Sequence, residues 1–157
     1  MTYPESYYEF LKLLAVFRQP QLVVELGTRQ GYGASAFVMG GAKRVVTYDI
    51  HDARLSDCGP PVIEFRNQDS LQVDVALSPI DLLFIDTDQD GRHYGERARE
   101  EYHAWEPFVA PSGIIVFDDV SINRSMIEMW SQFEPLRGQK FTLDVHQGCG
   151  MGVVVLP

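Results

Sequence analysis

The sequence predicts an α/β protein: a doubly wound, mostly parallel sheet of seven strands that ends in an antiparallel hairpin. Three observations carry this expectation. Short apolar runs alternate with stretches of helical periodicity, the signature of strand–helix–strand units. The first run stops at a glycine-bearing turn, Gly27 to Gly31, before a helical pattern opens. The two last apolar segments are joined by Gln147-Gly148-Cys149-Gly150, too short for a helix, so they pair antiparallel.

Each element follows from its residues. Tyr7, Phe10, Leu11, Leu14 and Phe17 recur every three or four residues, predicting a helix from Pro4 to Phe17. Leu22 to Leu26 is the first strand, and a helix runs from near Tyr32 to Gly40. Val45 to Asp49 is the second strand. His51 to Pro61 is too rich in breakers for a crossover helix and is expected as a loop or single turn. Val62 to Phe65 is a short third strand, and Leu82 to Asp86 the fourth. Tyr94, Ala98, Tyr102, Trp105 and Val109 form one helical stripe. Ile114 to Asp118 is the fifth strand, and Ile122, Met126, Met129, Trp130 and Phe133 mark another amphipathic helix. Phe141 to Val145 and Gly152 to Leu156 make the hairpin. Together these elements give a Rossmann-like layout in one domain spanning residues 1–157.

Composition narrows the function. The 157 residues are 45% hydrophobic and 22% charged, ordinary for a globular chain. The net charge of −9, from 22 acidic and 13 basic residues, opposes binding to phosphate backbones, so no nucleic-acid partner is expected. No apolar run approaches the roughly 20 residues of a membrane span, and the first residues lack a signal-peptide pattern. No membrane association and a cytoplasmic location are therefore expected. Cys58 and Cys149 are too few and too distant for a disulfide framework or zinc site.

The chemistry gathers at strand ends. Ligands of open α/β sheets bind at the carboxyl ends of strands where strand order reverses. Gly27 permits a sharp turn there and Gly31 a close ligand approach. Asp49 ends the second strand 22 residues after Gly27, where an acid typically accepts from ribose hydroxyls. Asp69 and Ser70, after the third strand, are placed to meet a base edge or to cap a helix. Asp86, Asp118 and Asp119 end two strands expected as neighbours about 4.8 Å apart, with Asp88 and Asp90 close by. Carboxylates so crowded raise one another's pKa unless a cation compensates, and Mg²⁺ suits such an all-oxygen setting. The other reading has Asp118 and Asp119 capping the following helix while Asp86 faces solvent.

The segment Val24-Glu25-Leu26-Gly27-Thr28 through Gly31, with Asp49, Asp69-Ser70 and Asp81 to Asp86, resembles the class I S-adenosylmethionine-dependent methyltransferases. Within them it is similar to the small O-methyltransferases related to catechol O-methyltransferase and to the cephalosporin hydroxylase/rhamnosyl methyltransferase group. The resemblance runs from about Gln21 to Leu156. It implies S-adenosyl-L-methionine as cofactor, with Glu25 and Gly27 at its methionine end, Asp49 at the ribose, and Asp69 with Ser70 at the adenine. Thr28, Gly31, Ile50 and Asp86 complete the expected cofactor-binding set. It also implies a divalent cation, Mg²⁺ or another, on Asp86, Asp118 and Asp119, gripping the oxygens of a small-molecule acceptor.

Related sequences often carry Lys or His three residues after the position of Asp86; here that residue is Gln89, which cannot take a proton. His93 is then the candidate base, with Asp86 beside it in the catalytic set. About 20 residues precede the first strand, so the acceptor site is expected to be open, suited to a bulky acceptor or completed by a second copy in a homodimer. Two other functions compete. One is a non-catalytic module that keeps the nucleotide pocket. The other is an NAD-linked oxidoreductase, because Gly31-Tyr32-Gly33-Ala34-Ser35-Ala36 matches G-x-G-x-x-A, displaced by about a turn from the strand end. Glu96, Glu100 and His103 share a helix face that reads as solvated. Tyr3, Tyr7 and Tyr8 are placed to cover the pocket or to pack in the core.

Overall fold

The computed structural model describes residues 5–51, 62–87, 94–144 and 149–157. Among them seven strands form one sheet: β1 Val23–Leu26, β2 Val45–Asp49, β3 Ile63–Asn67, β4 Ile80–Ile85, β5 Val109–Phe117, β6 Gln139–Leu143 and β7 Met151–Val155. Their order is β3-β2-β1-β4-β5-β7-β6. The first five strands pair in parallel, and β7 pairs antiparallel with both β5 and β6. The expected Rossmann-like sheet with its antiparallel pair is what the chain forms. Among the described residues four α-helices flank it: α1 Glu5–Arg18, α2 Tyr32–Met39, α3 Tyr94–Trp105 and α4 Arg124–Gln132.

The apolar runs are explained by where the strands lie. All four residues of β1 are buried, because β1 is central and covered on both faces. Alternate side chains face opposite ways. Val23, Val45, Leu82 and Phe84 pack with Tyr7, Leu11, Ala34 and Phe37 under α1 and α2. Val24, Leu26, Val46 and Leu83 pack with Tyr102, Trp105, Met126 and Trp130 under α3 and α4. At the other extreme, β6 is an edge strand without a buried residue, which is why Phe141 is exposed.

Several boundaries differ from the sequence expectation. The helical stripe through Val109 ends at Trp105, because Glu106–Phe108 tightens into a 3₁₀ turn holding Pro107. Val109 instead opens β5, whose pairing with β4 shifts register between Ile80 and Leu82 before Ile114. β3 runs two residues further than its apolar core, to Asn67. The first hairpin strand sits two residues earlier than Phe141 to Val145. The expected loop from His51 to Pro61 falls, beyond His51, outside the described residues. Among the described residues no helix is long and apolar enough to cross a membrane.

Candidate cofactor and acceptor site

After β1 the chain goes to β2 and β3 on one side and returns through β4 on the other, so strand order reverses at the β1–β4 boundary. Two adjoining cavities open there, of about 320 Å³ and 210 Å³, both bordered by Gly27, Arg29, Asp86 and Thr87. Gly27 is indispensable in this position. Its φ is +99°, and a Cβ would lie 2.1 Å from the Asp86 carbonyl oxygen. Its N–H donates to Tyr48 O at 2.8 Å, so the turn is bonded to β2 as β1 ends. Gly31 is the N-cap of α2. The residue that ends the strand is therefore Gly27, and the first glycine of the dinucleotide-like match is a helix cap.

The larger cavity is acidic at its base. Glu25 is buried on the α1–α2 side, where Thr47 Oγ1 donates to its Oε2 at 2.5 Å. Thr28, also buried, extends the chain, its Oγ1 lying 2.6 Å from Thr47 Oγ1. Burial pushes the Glu25 carboxyl up to about 8, and the charge of Asp49 adds to this. The hydrogen bonds from Thr47 and the Ala34 N–H oppose it. Gly33 makes room for this acid: a Cβ there would meet Glu25 Oε1 at 2.2 Å.

Asp86 and Asp118 face each other because their backbones are pinned to adjacent strands. Asp86 N–H donates to Leu26 O at 2.8 Å, and Asp118 N–H to Ile85 O at 3.0 Å. The carboxyls share a hydrogen bond. Burial, then the neighbouring carboxylate's charge, holds Asp86 far above the usual carboxylate range; burial and Asp119 push Asp118 to about 7. Both shifts favour the protonated form of the pair. Tyr7, delivered by α1, donates its hydroxyl to Asp118 Oδ2 at 3.0 Å and lies 3.4 Å from Asp86 Oδ2. Asp118 Oδ1 is buried without a hydrogen-bond partner among the described residues.

The capping reading of Asp118 and Asp119 does not hold. Asn123 caps α4, its side chain accepting from Met126 N–H at 2.8 Å. Nor does Asp86 face solvent freely; it is half-buried. The expected three-carboxylate metal site is also incomplete. Among the described residues no group of three or more His, Cys, Asp or Glu side chains is arranged to hold a metal. Asp86, Asp118 and Asp119 all border the larger cavity, Asp119 with a left-handed φ of 55° and a hydrogen bond to the Cys149 thiol. Asp86 and Asp118 suit a cation chemically, being two carboxyls crowded together with one oxygen that has no partner among the described residues. The expected base His93 lies outside the described residues, as do Asp88, Gln89 and Asp90.

The smaller cavity is lined by Asp49, Ile50, His51, Ser70, Thr87 and Arg97 among others. Asp49 accepts from Arg29 N–H at 2.8 Å and from His51 N–H at 2.9 Å, so it braces the turn after β1 as well as lining the cavity. Ile50 is exposed at its rim. Asp69 does not border either cavity. Its carboxylate takes the Leu71 N–H and the Arg97 guanidinium, which hold its pKa below the usual range. Ser70 is buried with its hydroxyl directed to Glu101 at 2.5 Å. Sequence reasoning missed Thr47, Arg97 and Glu101. Glu96, Glu100 and His103 are exposed as expected, whereas Arg97, one position past Glu96, lines the smaller cavity and Glu101, one position past Glu100, is buried.

A protein-family model for a methyltransferase domain matches residues 24–120. Among solved structures, the chain is similar to an O-methyltransferase from Bacillus cereus in complex with SAH, at 21% identity and TM-score 0.69, covering 99% of this chain and 84% of that one. It is also similar to a methyltransferase from Geobacter sulfurreducens, at 23% identity and TM-score 0.75, covering 98% and 80%. A third is the O-methyltransferase TomG from Streptomyces achromogenes, involved in tomaymycin synthesis and in complex with SAM, at 16% identity and TM-score 0.63, covering 96% and 79%. These likenesses establish the same fold. The family match extends from inside β1 to the residues just beyond β5, well over half the chain and including the reversal of strand order, and by it the chain belongs to the methyltransferase-domain family.

Proposed function

We propose that the protein transfers a methyl group from S-adenosylmethionine to a hydroxyl oxygen of a small molecule. The observation that carries this reading is the excess of acid in the larger cavity, where Glu25, Asp86 and Asp118 border one space at the end of β1 and β4. S-adenosylmethionine brings two positive groups, an ammonium and a sulfonium, and such a setting attracts both. Glu25 would hold the ammonium. Asp49, in the adjoining cavity, would accept from the ribose hydroxyls.

The sulfonium is a good leaving group, so the protein's task is to align an oxygen with the methyl carbon and to remove its proton. The acceptor would enter beside Asp86 and Asp118, with Tyr7 and Ile122 on the cavity wall. Asp86 and Asp118 would hold a divalent cation, which when bound lowers the pKa of an acceptor hydroxyl. His93 is the proposed base. The test is transfer of labelled methyl from S-adenosylmethionine to a panel of catechols, sugars and other hydroxylated acceptors, with Mg²⁺ and with chelator. Product on oxygen supports the reading. Methylation only of nitrogen or sulfur acceptors contradicts it, and full activity in chelator removes the cation.

A further inference from the structure

Glu101 is fully buried on α3, yet it is a carboxyl surrounded by donors from three different elements. Its Oε1 accepts from Ser70 Oγ at 2.5 Å and from Arg97 Nε at 2.9 Å, and its Oε2 accepts from Thr87 Oγ1 at 2.7 Å. Ser70 follows β3, Thr87 follows β4, and Arg97 lies one helical turn earlier on α3. All three of these partners line the smaller cavity. Arg97 extends the network, its Nη2 donating to Ser70 Oγ at 2.7 Å and also to Asp69. Trp105 Nε1 fixes the Ser70 carbonyl at 2.7 Å. One buried side chain therefore sets the relative positions of three segments that wall the cavity.

An acid in such a place is costly unless every lone pair is used. Burial raises the Glu101 pKa, and its hydroxyl and guanidinium donors counter that rise. A packing role alone would be met by an apolar side chain of similar volume, and a network of this kind is instead suited to fixing geometry.

Resting on the methyl-donor reading above, we propose that Glu101 is a positioning residue for the nucleoside half of the cleft. Through Ser70, Thr87 and Arg97 it sets the affinity for the adenosine end of the donor without touching it. Asp69, bound to Arg97, serves the same framework.

The test is calorimetric titration of wild type, E101A, E101Q and S70A with adenosine and with S-adenosylhomocysteine, below each variant's unfolding midpoint. E101A should weaken both ligands about tenfold and by the same factor, because the common part is the nucleoside. E101Q keeps the volume, one acceptor and one bond to a rotatable hydroxyl, so it should restore affinity to within about threefold of wild type. S70A, a far smaller change, should fall between them and decides the matter should E101A fail to fold. Wild-type binding with unchanged affinity in S70A and in folded E101A overturns the proposal alone. Weakening of S-adenosylhomocysteine but not of adenosine does the same. Failure of the wild type to bind either ligand overturns the methyl-donor reading, and the proposal with it.

Discussion

The two halves of the cleft use acids in opposite ways. In the nucleoside half, Asp49, Asp69 and Glu101 each receive two or more donors from the protein itself: backbone N–H groups, hydroxyls or the Arg97 guanidinium. In the methionine half, Glu25, Asp86 and Asp118 lie in one another's fields, their donors are neutral (Thr47, the Ala34 N–H, Tyr7 and the Asp119 N–H), and their pKa values rise. One half is finished before ligand arrives. The other is short of positive charge, which a sulfonium nucleotide would supply.

The largest expected effect breaks this contrast at Glu25. E25Q removes the ability to ionise against the donor's ammonium but keeps a side chain able to stay bonded to Thr47 and Ala34. It should weaken S-adenosylmethionine by about a hundredfold, corresponding to roughly 3 kcal/mol for a buried charged contact. Adenosine, which lacks the amino acid, should bind as to wild type. Equal losses for both ligands would merge the two halves into one.

The second prediction concerns pH. The folded pKa of Glu25 is about 8 against an ordinary 4.5, so the native state holds the proton more tightly than the unfolded chain. Its contribution to stability is full below about 4.5 and is lost as pH rises through about 8. Asp86 and Asp118 act in the same direction. Denaturant melts of the ligand-free protein should lose on the order of a few kcal/mol across that window, and E25Q should lose less. A flat or rising profile would mean that these acids are ionised in the folded state.

At Asp49 the expected effect is smaller and falls in the other half. D49A should weaken adenosine and S-adenosylhomocysteine alike, by about tenfold. It should also lower stability by about 1–2 kcal/mol, since the Arg29 and His51 N–H groups lose their acceptor. The smallest effect is at the α4 cap. N123A should cost about 1 kcal/mol in denaturant melts and leave adenosine affinity unchanged. A tenfold loss of adenosine binding there would show that the wall near Asn123 serves both halves.

The sheet was legible because buried parallel strands must be written as apolar runs, and the turn at Gly27 because close contact with Asp86 admits only glycine. Asp86 and Asp118 were legible as strand ends. Their pairing with Tyr7 was not, since periodicity places Tyr7 in a helix without saying over which strand that helix lies. The placement of Ser70 beside the nucleoside cavity followed from strand order. That Ser70 turns inward and Asp69 sideways depends on Arg97 and Glu101, 28 and 31 residues away in sequence. Asp119 looked equivalent to Asp118, and its left-handed backbone and its bond to the Cys149 thiol set it apart. Local pattern writes elements and strand ends; partners brought together by the return of α3 over the sheet leave no trace in it.

The most direct measurement is a crystal structure of the chain soaked with S-adenosylhomocysteine. The ligand's amino group should lie against Glu25 and its ribose hydroxyls against Asp49, with the chain between them crossing Gly27. A nucleotide bound elsewhere, or one in the cleft with its amino-acid end beside Asp49 and Arg97, would contradict the account.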